Sequence, residues 1–122
     1  MTETGFTELN DTQRLEELLD QSGEQPVILF KHSDTCGISA RAYREMTKLE
    51  KPVALVTVQK VRALSNEIEI RFSLPHETPQ VLVVRDRKLA WSASHFRITA
   101  DAVTRAVEEA AQRSAPDPDQ SG

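Results

Sequence analysis

The sequence contains very little cysteine, because Cys36 is the only one among 122 residues. One cysteine cannot form a disulfide within the chain, so nothing indicates folding in an oxidising compartment. An excess of one charge is also lacking: 15 Lys and Arg stand against 19 Asp and Glu, for a net charge of −4. This balance argues against the basic surface that proteins use to bind nucleic acid or anionic membranes.

Long hydrophobic runs are absent as well. No apolar stretch of the sequence approaches the roughly 20 residues needed to span a bilayer, and the first residues lack the basic and apolar regions of a signal peptide. We therefore expect a cytoplasmic protein without a membrane segment. The length and the 39% of hydrophobic residues suit one core. We expect a single, monomeric domain over residues 1–113 and a disordered, proline-broken tail over 114–122.

Segments with strand and helix patterns alternate along the chain. Helices are predicted from a cap at Asn10 or Asp11 to 22–23, from Cys36 to about Glu50, over 61–72, and after a cap at Thr99. Strands are predicted over 27–30, 53–58, 80–84 and 88–92, with a short further strand near 6–9. This order predicts an α/β fold in which helices flank a mixed central sheet in three layers.

Cys36 follows a strand and a polar turn, and it precedes a segment with helical apolar spacing. The sequence therefore predicts that it lies on the first turn of a helix. Free backbone N–H groups and the helix dipole stabilise a thiolate there, so the thiol pKa should fall below its usual value of about 8.5. A lone cysteine is more often a small buried hydrophobe. The polar residues before Cys36 favour the reactive alternative.

Four blocks of the sequence, in the same order, resemble the monothiol bacilliredoxin family. They are FKHSDTCGIS at 30–39, SNEI at 65–68, HETPQ at 76–80 and ASHFRIT at 93–99. The chain departs from the family at Gly37, where a proline is usual. The resemblance implies a thioredoxin-like fold and a thiol–disulfide exchange enzyme that removes the small thiol bacillithiol from proteins.

The resemblance also implies which residues form the site. Cys36 would be the nucleophile. Ser39 takes the place of a second cysteine, so a catalytic cycle that uses two cysteines of this chain is not possible. No tightly bound cofactor is implied; bacillithiol would be a co-substrate, and bacillithiolated proteins would be the partners. Residues expected to support the thiolate are Thr35, Gly37, Ile38 and Ser39, and those expected to line a substrate groove, with a cis peptide bond between them, are Thr78 and Pro79.

Three histidines, His32, His76 and His95, are further candidates for the site. Each could instead be a hydrogen-bonded structural residue, and packing at a strand end or on the surface is favoured for His32. Their spacing is not that of metal ligands, so no metal site is expected.

Two other functions stay open on the sequence. A glutathione-using monothiol enzyme would perform the same chemistry with a different small thiol. A non-catalytic thioredoxin-like binding module would carry an inert Cys36.

Overall fold

The computed structural model of the chain describes residues 5–33 and 37–112, with the side chain of residue 38 excepted. The predicted tail over 114–122 therefore lies outside the described residues. The strands are β1 Gly5–Glu8, β2 Val27–His32, β3 Pro52–Thr57, β4 Gln80–Arg85 and β5 Lys88–Ser94. The helices are α1 Thr12–Gln21, α2 Gly37–Met46, α3 Arg62–Phe72 and α4 Ala100–Gln112, with one turn of 3-10 helix at His95–Arg97.

The strands form one sheet in the order β1-β3-β2-β4-β5. β1, β3 and β2 run parallel, whereas β4 is antiparallel to β2 and β5 is antiparallel to β4. Parallel neighbours need crossover connections, and α1 and α2 provide them. The predicted three-layer α/β fold with a mixed sheet is confirmed.

Each face of the sheet is covered by two helices, because the strands are apolar on both sides. On one face α2 and α4 pack; its buried side chains include Phe30, Ala42, Met46, Leu55, Val81, Val103 and Val107. On the other face α1 and α3 pack; its buried side chains include Leu15, Leu19, Leu29, Val56, Leu64, Ile68 and Leu82. Lys31 follows Leu29 by two residues in β2, so its side chain belongs to the α1/α3 face.

The predicted helix starts are confirmed where a cap is local in sequence. Asp11 caps α1 by accepting a hydrogen bond from the backbone N–H of Arg14 at 2.8 Å. Thr99 caps α4 by accepting one from the N–H of Ala102 at 3.1 Å. The prediction that α2 reaches about Glu50 is wrong, because the helix ends at Met46 and its last turn tightens into i→i+3 bonds.

The turn between β4 and β5 lacks the residues that normally form it. Asp86 and Arg87 have φ values of 56° and 62°, a conformation that hairpin turns usually assign to Asn or Gly. Ser22, at the end of α1, compensates for this. Its carbonyl oxygen accepts from the N–H of Asp86 and its Oγ from the N–H of Arg87, both at 2.8 Å.

Candidate active site

The end of β2 and the start of α2 meet at one edge of the sheet. The hydroxyl of Ser39 is fully buried and accepts a hydrogen bond from the backbone N–H of Ser33 at 3.2 Å. This bond ties the first turn of α2 to the end of β2. Cys36 and Thr35 lie outside the described residues, as does the side chain of Ile38.

Gly37 is the first residue of α2 and is exposed. A Cβ atom built at this position would meet nothing within 4 Å. No close approach of the described residues therefore requires glycine here.

Thr78 and Pro79 lie at the same edge of the sheet. Pro79 directly precedes β4, and the first residue of that strand, Gln80, is paired in register with Lys31 near the end of β2. The Thr78–Pro79 peptide bond is cis, as the resemblance implied. The buried Pro79 accepts a hydrogen bond through its carbonyl oxygen from the N–H of His95 at 3.1 Å.

The three candidate histidines occupy different surroundings. His32 is 8% exposed and packs its ring against Phe30 and Tyr43, with ring centroids 5.6 and 5.4 Å apart. This is strand-end packing, one of the two placements, strand end or surface, that the sequence favoured. His95 has a φ of 56°, and its Nδ1 lies 3.3 Å from Oε1 of Glu77.

His76 contacts both a helix and the cis-proline segment. Its Nε2 lies 3.2 Å from Oγ1 of Thr78, and its Nδ1 lies 3.5 Å from Oγ of Ser65 on α3. His76 and His95 are therefore brought to the 77–79 segment, whereas His32 is packed into the α2/α4 face.

Buried polar residues beside this segment were missed by the sequence reasoning. Lys31 has no exposed surface, Gln80 is 3% exposed and Ser65 is 2% exposed. The amide of Gln80 donates to the carbonyl oxygen of Pro75 at 3.1 Å and closes the loop before β4. The signal for Lys31 was its period-2 spacing from Leu29, which shows only if β2 is extended to residue 32.

Burial and nearby charges shift the pKa values of two side chains at this edge, Lys31 and His76. Burial lowers the pKa of its ammonium, and the carboxylate of Glu69 partly opposes that effect. The pKa of His76 is also lowered, first by the partial burial of its ring and then by the positive charge of Lys31, while Glu69 and Glu77 act in the other direction. His76 is therefore neutral at neutral pH.

Over residues 5–33 and 37–112, the acidic and imidazole side chains form no group of three or more that could hold a metal ion. Across the same ranges, every helix is too short or too polar to cross a membrane.

The sheet order, the crossing helices and the cis-proline segment at the start of β4 define a thioredoxin-like protein. Solved structures agree with this class. A candidate oxidoreductase with a thioredoxin fold is 27% identical, with a TM-score of 0.77 over 83% of this chain and 92% of its own. A variant thioredoxin from Halobacterium salinarum is 14% identical, with a TM-score of 0.66 over 97% and 100%. Trypanosoma brucei brucei thioredoxin is 10% identical, with a TM-score of 0.69 over 86% and 89%.

A family model identifies one family within the thioredoxin-like class. Residues 7–103 match the family model described as monothiol bacilliredoxin BrxC. The match spans most of the 122 residues, so the chain belongs to the monothiol bacilliredoxin family, and thiol–disulfide chemistry of the bacilliredoxin type follows from that membership.

Proposed function

We propose that this protein removes bacillithiol from protein mixed disulfides, with Cys36 as the nucleophile. One observation carries the monothiol mechanism: the chain has a single cysteine, and the buried Ser39 stands where a resolving cysteine would be needed. Family membership supports the choice of bacillithiol. We expect the protein to act as a monomer in the cytoplasm, where thiols are kept reduced.

The proposed reaction has two exchange steps. The Cys36 thiolate attacks the bacillithiol sulfur of the mixed disulfide, a new sulfur–sulfur bond forms, and the substrate protein leaves as a thiolate. The thiolate of a second bacillithiol then attacks the bacillithiol sulfur bound to Cys36. The products are bacillithiol disulfide and the regenerated Cys36 thiolate, so no second protein cysteine is required.

The neighbouring residues have supporting roles in this proposal. Thr35, Gly37, Ile38 and Ser39 would support the thiolate at the start of α2. Thr78 and Pro79 would form the groove along which the substrate backbone lies, in the manner of an added strand. His76 and His95 would fix the position of this groove, because both contact the 77–79 segment.

Mass spectrometry tests the small thiol directly. One substrate protein is prepared as its bacillithiol and its glutathione mixed disulfides, and each is incubated with this protein and the matching free thiol. We expect release from the bacillithiol form and a bacillithiol adduct on Cys36. Faster release from the glutathione form would favour the glutathione-using alternative, and release from neither would indicate a binding module.

A further inference from the structure

Lys31 is a costly residue for this fold to bury. Its side chain has no exposed surface, and among residues 5–33 and 37–112 its Nζ has no hydrogen-bond partner. Burying an amine without a partner opposes folding, and an apolar side chain of the same length would avoid that penalty. Stability therefore does not explain a lysine at this position.

Lys31 lies beside the cis-proline loop, which comprises residues 75–79. Lys31 is paired in register with Gln80, the residue directly after Pro79. The side chain of Gln80 reaches back to the carbonyl oxygen of Pro75. The loop over residues 75–79 is thus closed above the end of β2, on the side of the sheet that α3 covers.

His76 contacts both α3 and the proposed substrate groove at Thr78 and Pro79. It is exposed, yet its two ring nitrogens face the hydroxyls of Ser65 and Thr78. A neutral imidazole has one donor and one acceptor nitrogen, so it donates to one hydroxyl and accepts from the other. An imidazolium would donate to both. Beside the imidazolium the Thr78 hydroxyl can only accept, whereas beside the neutral ring it accepts in one tautomer and donates in the other.

The charged groups around His76 come from several elements. Lys31 on β2 disfavours protonation of the ring, whereas Glu69 on α3 and Glu77 in the loop favour it. Glu77 is itself in contact with His95 of the 95–97 turn. Burial and Lys31 prevail over the two carboxylates, and the ring is neutral at neutral pH.

We propose that His76 is a positioning residue for substrate proteins, which holds the Thr78 side chain against α3, and that the buried Lys31, paired in register with the residue after Pro79, acts through it. This inference rests on the proposed function for its reaction. It goes further by assigning the positioning of substrate proteins to residues on the α3 side of the sheet.

Two substitutions of the same histidine test the contact. The side-chain nitrogen of Gln reaches approximately the Nε2 position of histidine, and that of Asn reaches the Nδ1 position. His76→Gln should therefore keep the contact with Thr78, and His76→Asn should keep only the contact with Ser65. We expect His76→Asn to slow exchange with a bacillithiolated protein about three- to tenfold, and His76→Gln to stay within about twofold of wild type. Loss with a small aromatic disulfide should be smaller in both variants.

The effect of Lys31 on His76 is tested by NMR titration of the His76 ring in the wild type and in Lys31→Met. The pKa of His76 should be higher in Lys31→Met, because the repelling charge is gone, and the low-pH limb of protein exchange should move with it. If Lys31 contributed to stability alone, the His76 pKa would still rise but the pH profile of protein exchange would stay as in the wild type.

The outcomes separate this inference from the proposed function. If the wild type fails to release bacillithiol from any protein, the proposed function is wrong. If it succeeds but His76→Asn equals or exceeds His76→Gln, the positioning role of His76 is overturned. If the pH profile of protein exchange is unchanged in a folded Lys31→Met, the action of Lys31 through His76 is overturned. Should Lys31→Met fail to fold, the comparison of Gln with Asn alone decides.

Discussion

The loops on either side of β4 are held in different ways. After β4, the exposed guanidinium of Arg87 pairs with Asp20 at 2.6 Å and with Glu16 at 2.7 Å, and Ser22 binds the turn backbone. Before β4, the cis-proline loop is held largely by uncharged contacts, including those of Gln80 and His76. Surface ion pairs tolerate small movements, whereas hydrogen bonds to buried groups fix a geometry. Each loop is thus held by a buried polar side chain, Ser22 after β4 and Gln80 before it, and the loop after β4 has the ion pairs of Arg87 in addition.

The largest effect on the release of bacillithiol should come from substitutions at the start of α2. Cys36→Ser should abolish release of bacillithiol, since no other sulfur can attack. Ser39→Ala should retain measurable release, because the hydroxyl makes a hydrogen bond to Ser33 and forms no covalent bond. Release is followed by mass spectrometry of the substrate protein.

Ser22→Ala provides the matched control for this comparison, because it makes the same change at the opposite loop. It should leave the rate of release as in the wild type. A folded Ser39→Ala protein without any activity would contradict the monothiol mechanism.

Lys31→Met should raise the free energy of unfolding at neutral pH by about 1–3 kcal/mol, the cost of burying an amine without a partner. The sign of the pH dependence follows from the lowered pKa of Lys31 in the folded state. Between that pKa and the unfolded value of about 10.4, the unfolded chain binds more protons, so wild-type stability rises with pH. The advantage of Lys31→Met should therefore shrink as the pH approaches that value.

Urea unfolding of both proteins at several pH values measures this difference. A Lys31→Met protein less stable than the wild type would show that Lys31 stabilises the fold, against our interpretation of it as a residue kept for function.

Ser22→Ala should cost about 1–2 kcal/mol of stability, because the N–H of Arg87 loses its acceptor in a partly buried place. Thermal or urea unfolding measures the change. Equal stability of the variant and the wild type would mean that the ion pairs of Arg87 alone hold the β4–β5 turn.

The smallest effect is expected for Glu16→Gln at the same loop. Glu16 pairs with Arg87 and Arg71, and the hydrogen bond from Arg87 is the main cause of its lowered pKa. Its contribution should be lost as the pH falls through that lowered pKa, and added salt should weaken it. Glu17→Gln, next along the helix and 3.9 Å from Arg14, is the control and should change stability less.

Helix and strand positions were largely predictable because their signals are local. The caps Asp11 and Thr99 act on residues three positions away, and the apolar spacing of the strands and helices is visible in the sequence. The end of α2 was not predictable. Its periodicity continues through Leu49, and the tighter turns after Met46 are not visible in that spacing.

The candidate site was predictable where residues are adjacent in sequence or resemble a family. The cis peptide bond between Thr78 and Pro79 belongs to this group, whereas the role of Cys36 at the start of α2 stays a prediction. The contact between His76 and Ser65 does not, because those residues lie on different elements and meet only when α3 packs on the sheet.

The sequence by itself determined the element order, the caps and the monothiol character, because each depends on residues close together in the chain. Only the tertiary structure decided that Lys31 is buried and that Ser22 binds a turn 65 residues away. The local sequence around a lysine that follows an apolar strand is the same whether its side chain is exposed to solvent or buried under a loop. Which of the two occurs depends on the distant chain that packs over it.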